Sequence, residues 1–361
     1  MPGSPIGEFL SSIPAQFGYV MNDRHVVAVG MARDGRTGPR IVAEWDQAVA
    51  SDQDLAEHIA AHVARLAKAS PEHKVFLLVG YGRDGAHRAA LLRDALLATS
   101  ALPDPLVAHV VDNTWRVQVR ADAWTTPQDL PDVSAETVLA GLPSPVASRD
   151  ELVARYQPSP TPAFGDIKER DRALFSASPP SFRAEVATAT LDRLTRPALD
   201  DPNQMAVLAH LTISGPKAVR DAVMLAAAAD AEHAAALVRV YRGAPETMRP
   251  ALATAAGTAL FLSGGGSVET EAILVHADRA GDNARLTALV AIAKRSGLNP
   301  HALRAELATQ TKPALDEADL RWKATLSSSA FPKGGPTGAH PATERMREVP
   351  DRLWNPPCME R

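Results

Sequence analysis

Residues 74–97 read "KVFLLVGYGRDGAHRAALLRDALL". An apolar, β-branched run, Lys74–Val79, gives way to Gly80-Tyr81-Gly82-Arg83-Asp84-Gly85. An amphipathic stretch follows, with Leu91, Leu92, Ala95 and Leu96 on one side. The spacing predicts a buried strand, a tight turn and a helix. It also satisfies G-x-G-x-x-G in the strand-to-helix context that dinucleotide sites use. The stretch therefore fixes a local α/β fold, and it poses the question of whether the turn cradles a ligand.

The flanking segments extend the same fold. Arg24–Ala32 and Arg40–Trp45 are rich in β-branched residues, and "RDGRTGP" between them reads as a turn, so the pair is expected to form a hairpin. Ser51–Ala69 repeats Leu55, Ile59, Val63 and Leu66 at helical spacing, with Ser51 or Asp52 as its N-cap. Leu106–Val111 reads as a strand, Asp112-Asn113-Thr114 as a turn, and Trp115–Arg120 as an alternating, half-exposed strand. Residues 1–125 are expected to form one α/β domain with a mixed sheet in the order ββαβαββ.

Residues 126–180 form a proline-rich connector with short helices at Ser134–Leu142 and Ser148–Tyr156, and "PSPTPAFGD" at Pro158–Asp166 reads as a linker. From 181 to 325 every periodic segment is helical, and the breaks at "RPALDDPN", "SGPK", "RGAPE", "SGGGS", "AGDN" and "GLNP" are short enough for antiparallel neighbours. Val268–Leu303 has the size of one tetratricopeptide-like helix–turn–helix unit, joined at Gly281-Asp282-Asn283. An all-α, tetratricopeptide-like domain is the expectation. Residues 326–361 have the Pro, Gly and Ser content of a disordered tail.

Bulk composition narrows the function classes. A chain of 361 residues corresponds to roughly two domains at about 150 residues each. The net charge of −4 shows no basic excess of the kind phosphate neutralisation requires, so no nucleic-acid partner is expected. The single cysteine, Cys358, excludes an intrachain disulfide. The N-terminus lacks a basic start followed by a long apolar run, and no window nears ~18 apolar residues. A soluble, cytoplasmic protein without a membrane partner is expected.

Four separated stretches resemble an actinobacterial domain-of-unknown-function family, numbered 4192. "VSAETVLAGLPSPVASRDELVARYQP" at Val133–Pro158 is similar to that family's alanine-rich helix, apolar loop and second helix. The opening, with Phe9, Leu10, Pro14, Phe17 and Gly18 ahead of the Val26–Val29 strand, is similar too. So are "VVDNTWRV" at Val110–Val117 and "RAGDNARLTALVAIAKRSGLNPHAL" in the helical part. The resemblance spans most of residues 7–310 and implies an α/β domain followed by helices, with no activity attached.

Candidate chemistry is sparse. A dinucleotide site needs amides converging on a pyrophosphate at a helix start and an acid on the next strand. Asp112 is the one candidate acid, and it is already placed in a hairpin turn. The glycine pattern is therefore read first as a backbone corner, with no cofactor. A weaker reading keeps Gly80, Gly82, Arg83, Gly85, His87 and Arg88 as a site for a small phosphate- or carboxylate-bearing ligand, with Asp84 as helix cap in the opposing view. His58 and His62 lie four apart on a helix, without the glutamate order or third ligand of a zinc site, and read as boundary residues. Asp166, Glu169 and Asp171 read as a solvated run and Asp201 as a helix cap before Pro202. Ser263–Ser267 is an inter-helix linker, and no metal site is expected. The sequence favours a non-enzymatic regulatory protein that engages a protein partner through its helical domain. An anion- or nucleotide-binding protein, enzymatic or not, with its site at Gly80–Arg88 is the alternative.

Overall fold

The computed structural model describes residues 5–32, 37–48, 50–99, 102–120, 123–139, 144–196, 201–277, 281–296 and 298–329. Most of the expected tail, from 330 onward, and Cys358 lie outside the described residues.

In chain order the N-terminal part runs α1 (Pro5–Phe17), β1 (His25–Ala32), β2 (Thr37–Glu44), α2 (Asp52–Ala69), β3 (His73–Tyr81), α3 (Gly85–Thr99), β4 (Leu106–Val111), β5 (Thr114–Arg120), β6 (Ala123–Trp124) and β7 (Gln128–Asp129). The strands form one mixed sheet in the spatial order β2-β1-β3-β4-β5-β6, with β7 beside β5. β1 lies antiparallel between β2 and β3, with Val27 opposite Val42 on one side and Val79 on the other. β3 and β4 are parallel, and Val79 faces Ala108. The crossovers β2-α2-β3 and β3-α3-β4 step across the sheet in the same lateral direction, so no topological switch point arises at β3.

Both faces of this sheet are covered, which explains why its central strands read as continuous apolar runs. On one face Val26, Ala28, Phe76, Leu78 and Val107 pack with Val63 of α2 and Leu92 and Leu96 of α3. On the other, Val27, Val29, Leu77, Val79 and Ala108 pack with Leu10 and Ile13 of α1 and with Leu152. Leu152 belongs to α5 (Arg149–Arg155), which follows α4 (Ser134–Leu139) in the connector.

The helical part comprises α6 (Glu169–Ser176), α7 (Pro180–Leu194), α8 (Pro202–Ser214), α9 (Lys217–Ala227), α10 (Ala231–Gly243), α11 (Arg249–Leu262), α12 (Ser267–Leu274), α13 (Gly281–Ser296) and α14 (Pro300–Ser329). α11 sits at its centre. It packs against α8, α9, α10, α12, α13 and α14, and is buried on nearly every side. Its sequence, "RPALATAAGTALFL", is apolar and small all round, as a surrounded helix requires. Gly281 starts α13 instead of joining two helices, and α14 continues past 326 to Ser329.

The connector is not a free linker. Ser159 and Ala163 donate their amides to the carbonyls of Arg242 and Gly243 at 2.8 Å each, and Arg249 binds the Ser159 carbonyl at 2.7 Å. Phe164 and Ile167 are buried in the helical core. Proline rules out helix and ladder there, but it leaves the carbonyls available to arginines of the bundle.

Candidate functional site

The glycine corner is built from backbone contacts. Gly82 has φ +74°, a left-handed conformation that favours glycine. Its amide donates to the Val110 carbonyl at 2.9 Å, carrying the β3–β4 pairing one residue past the strand. Its carbonyl accepts the Gly85 amide at 3.1 Å and His109 Nε2 at 2.7 Å. Arg116 Nε donates to His109 Nδ1 at 3.2 Å, so the neutral imidazole carries its proton on Nε2 and donates it to Gly82. Burial, ahead of the nearby Arg116 charge, holds the His109 pKa below the ordinary value, which favours that neutral form. A Cβ on Gly80 would stand 1.9 Å from the Gly85 carbonyl oxygen, so these two glycines let the strand end and the helix start touch.

Of the six residues the sequence offers for an anion, the structure brings Gly80, Gly82 and Gly85 together in this corner. Arg88 is buried, 7% exposed. Its guanidinium donates to the Asp23 carbonyl and, at 3.4 Å, to the Asp84 carboxylate. Arg88 thus clamps the corner to the loop before β1. Arg83 and His87 are exposed, and Arg83 borders a cleft that His87 does not line.

That cleft, of about 880 Å³, lies at the carboxyl ends of β3 and β4, on the sheet face that carries α1. Its walls come from α1, residues 20–23, the two strand ends and residues 130–137. Ser11, Asp23, Tyr81, Arg83, Asp112 and Asp132 are among its polar residues. Asp112 and Asn113, at φ 48° and 62°, form the two-residue turn between β4 and β5, where short polar side chains tolerate left-handed backbone. Asp132 accepts from the Ser134 hydroxyl at 2.6 Å and the Ser134 amide at 2.9 Å, bonds that hold its carboxyl below the ordinary value. Among the described residues, Asp23, Asp112 and Arg83 belong to no ion pair.

Two residues that line this cleft carry hydroxyls closed off from solvent. Tyr81 is 6% exposed, and among the described residues neither its hydroxyl nor Ser11 Oγ has a hydrogen-bond partner. Burial raises the Tyr81 pKa, so the phenol stays protonated and able to donate. Sequence reasoning missed Ser11, Tyr81, Asp23 and Asp132. The signal for the α1 wall was present in Phe9, Leu10, Ile13 and Phe17, which recur at helical spacing. Nothing in the sequence announces an unpaired hydroxyl.

Other candidates dissolve into structure. His58 is exposed on α2, and His62 Nδ1 lies 2.9 Å from Arg65 on the same helix. Asp201 caps α8, accepting the Asn203 amide at 2.8 Å, with Pro202 in the first turn. Ser263–Ser267 turns α11 into α12 through Gly264 at φ +89°. Among the described residues no group of three or more His, Cys, Asp or Glu is arranged to hold a metal ion, and no helix is long and apolar enough to cross a membrane. No family model, no curated protein and no solved structure matches this chain.

Proposed function

We propose that this protein binds a small polar molecule in the cleft at the carboxyl ends of β3 and β4. One observation carries the reading: Ser11 and Tyr81 are among the residues that line this cleft, and their hydroxyls, closed off from solvent, have no hydrogen-bond partner among the described residues. A buried unsatisfied hydroxyl costs about 1–3 kcal/mol, a cost that a ligand reaching it after a side-chain shift would remove. The volume falls in the range of roughly 300–1,000 Å³ typical of small-molecule sites. The glycine corner serves this site by fixing the strand ends, not by supplying amides to a phosphate. Tyr81→Phe tests the reading. A ligand found by screening should lose most of its affinity for that variant while the fold is retained. Screening hits that map to other surfaces and bind Tyr81→Phe unchanged would overturn it.

A second reading keeps the helical part as a surface for a protein partner. It is supported by Ile292 of α13, Leu298 in the loop that follows and Leu320 of α14, which are 49%, 49% and 66% exposed. Leu320→Glu should abolish capture of any partner that this surface recruits, and unchanged capture would remove the reading. The likeness to the actinobacterial family of unknown function adds no activity to either reading.

A further inference from the structure

The sheet part and the helical part meet where α12 packs against α5 and α13 against α2. Leu152 of α5 and Val268 of α12 join the second sheet core, and Tyr156, just after α5, packs with both that core and the helical one. An acidic residue is set into this contact, Glu269 in the first turn of α12. We propose that Glu269 is a proton-operated latch: the contact stays closed while its carboxyl is protonated, and loosens when the carboxyl ionises.

The carboxyl fills the space that two glycines leave. A Cβ on Gly266, the N-cap of α12, would overlap Oε2, and a Cβ on Gly18, in the loop after α1, would stand 3.5 Å from Oε1. Oε2 is closed off from solvent and has no hydrogen-bond partner among the described residues. Lys294 acts on the carboxyl from α13, but its ammonium is bonded to Glu271 Oε1 at 2.6 Å and to the Ser267 carbonyl at 3.0 Å. Tyr19, in the loop after α1, and Tyr156 lie close enough to feel the Glu269 charge, and their phenols, with pKa values pushed up to about 12, stay neutral. Arg149 and Glu44 act on Tyr19, and Arg155 and Arg242 on Tyr156. Burial outweighs the Lys294 charge and raises the Glu269 pKa above 4.5. An ionised carboxylate shut away from water without a partner is costly, and opening the contact rehydrates it. Closure is therefore favoured fully below the ordinary value, and that advantage is lost as the pH rises through the value of the closed form. His25, beside Tyr19, and His276, bonded to Gln157 at 2.7 Å, are held below their ordinary value by burial and respond in the opposite sense.

The helices at the contact report on its opening. α5 and α12 have 7 and 8 residues, and isolated helices shorter than about 12 residues are marginal, so their amides exchange when packing is released. The test is hydrogen exchange of the full chain, read as protection factors. In the wild type at pH 8, α5 and α12 should be less protected than β3, the mark of an opening smaller than global unfolding. At that pH Glu269→Gln should protect them at least about tenfold better than the wild type, the factor gained for each pH unit by which closure displaces the titration. The gap should close toward pH 5. His25 and His276 are common to both proteins and cancel in this comparison. Glu269→Ala cannot ionise either, and should show the same change in protection between pH 5 and pH 8 as Glu269→Gln, whatever its absolute stability. A carbon-13 titration of the Glu269 carboxyl in the wild type should have its midpoint above 4.5. Equal protection of wild type and Glu269→Gln at pH 8, exchange of α5 and α12 only together with β3, or an ordinary midpoint would overturn the latch.

Discussion

Gly80 and Gly85 meet backbone to backbone, and their tolerance of change is correspondingly small. A methyl group on Gly80 would fall 1.9 Å from a main-chain oxygen, which cannot rotate away as a flexible side chain would. Gly80→Ala should therefore destabilise the fold by about 2–3 kcal/mol, read from the urea midpoint at constant slope. Tyr81, one residue on, is expected to behave in the opposite sense. Tyr81→Phe removes a buried hydroxyl with no partner, so stability should hold or rise by about 1 kcal/mol while ligand binding falls. A large loss of stability in this variant would show that the hydroxyl is satisfied within the fold. Stability and binding then diverge at a single oxygen atom, as residues kept for function and not for folding often do.

At the scale of elements, several helices depend on partners distant in sequence. α7 starts at Pro180 with Pro179 as its N-cap, and a proline side chain cannot accept a hydrogen bond there. Asp319 of α14 performs that role instead, accepting the Ser181 amide at 2.9 Å across 138 residues of chain. Arg304, nearer the start of α14, donates to the carbonyls of Ala228 and Ala229 at the end of α9, at 2.5 and 2.9 Å. A carboxylate at one helix start and a guanidinium at another helix end both complement the helix dipoles. Asp319→Ala should cost about 1 kcal/mol, within the usual range for a lost N-cap, and should increase amide exchange in the first turn of α7. Unchanged exchange there would mean that the contact contributes nothing. Arginines do similar work in the connector, where Arg242 and Arg249 hold the proline-rich segment against the bundle through the Gln157 and Ser159 carbonyls.

Over the whole molecule, buried titratable groups set the pH response. Burial depresses the pKa of His25, His109 and His210 below the ordinary value of 6.5. The unfolded chain then binds more protons than the folded one as the pH falls below that value, so stability is full above it and is lost on acidification. Melting temperature should fall as the pH drops from about 7 toward 5, within the range where ordinary histidines take up protons. His109→Gln should reduce that slope. Glu269 works the other way. It lies in the first turn of α12, beside Gly18 and near Tyr19 and Tyr156, with one carboxylate oxygen buried and unpartnered. Burial raises its pKa from 4.5. Its contribution is greatest below the unfolded value and is lost as the pH rises through the folded one. Glu269→Gln should therefore stabilise the protein at neutral pH and lose that advantage in acid. Equal effects at both pH values would place the carboxylate in water.

The sequence by itself determined the elements. Residues 24–120 spell out strands by β-branched runs and helices by the recurrence of Leu and Ile, because these periods follow from backbone geometry alone. It also determined that Asp112-Asn113 turns the chain and that Asp201 caps a helix, since short polar side chains act on their own backbone neighbours. Only the tertiary structure decided the roles that need two distant segments. It set both crossovers running the same way across the sheet, packed α1 on the second face, and gave Arg88 to Asp23 instead of to a ligand. It fixed the proline-rich segment to the bundle and left the Ser11 and Tyr81 hydroxyls buried without a partner among the described residues. Local periodicity records which side of an element is buried, whereas a site depends on which buried sides meet, and that is settled only when the chain packs.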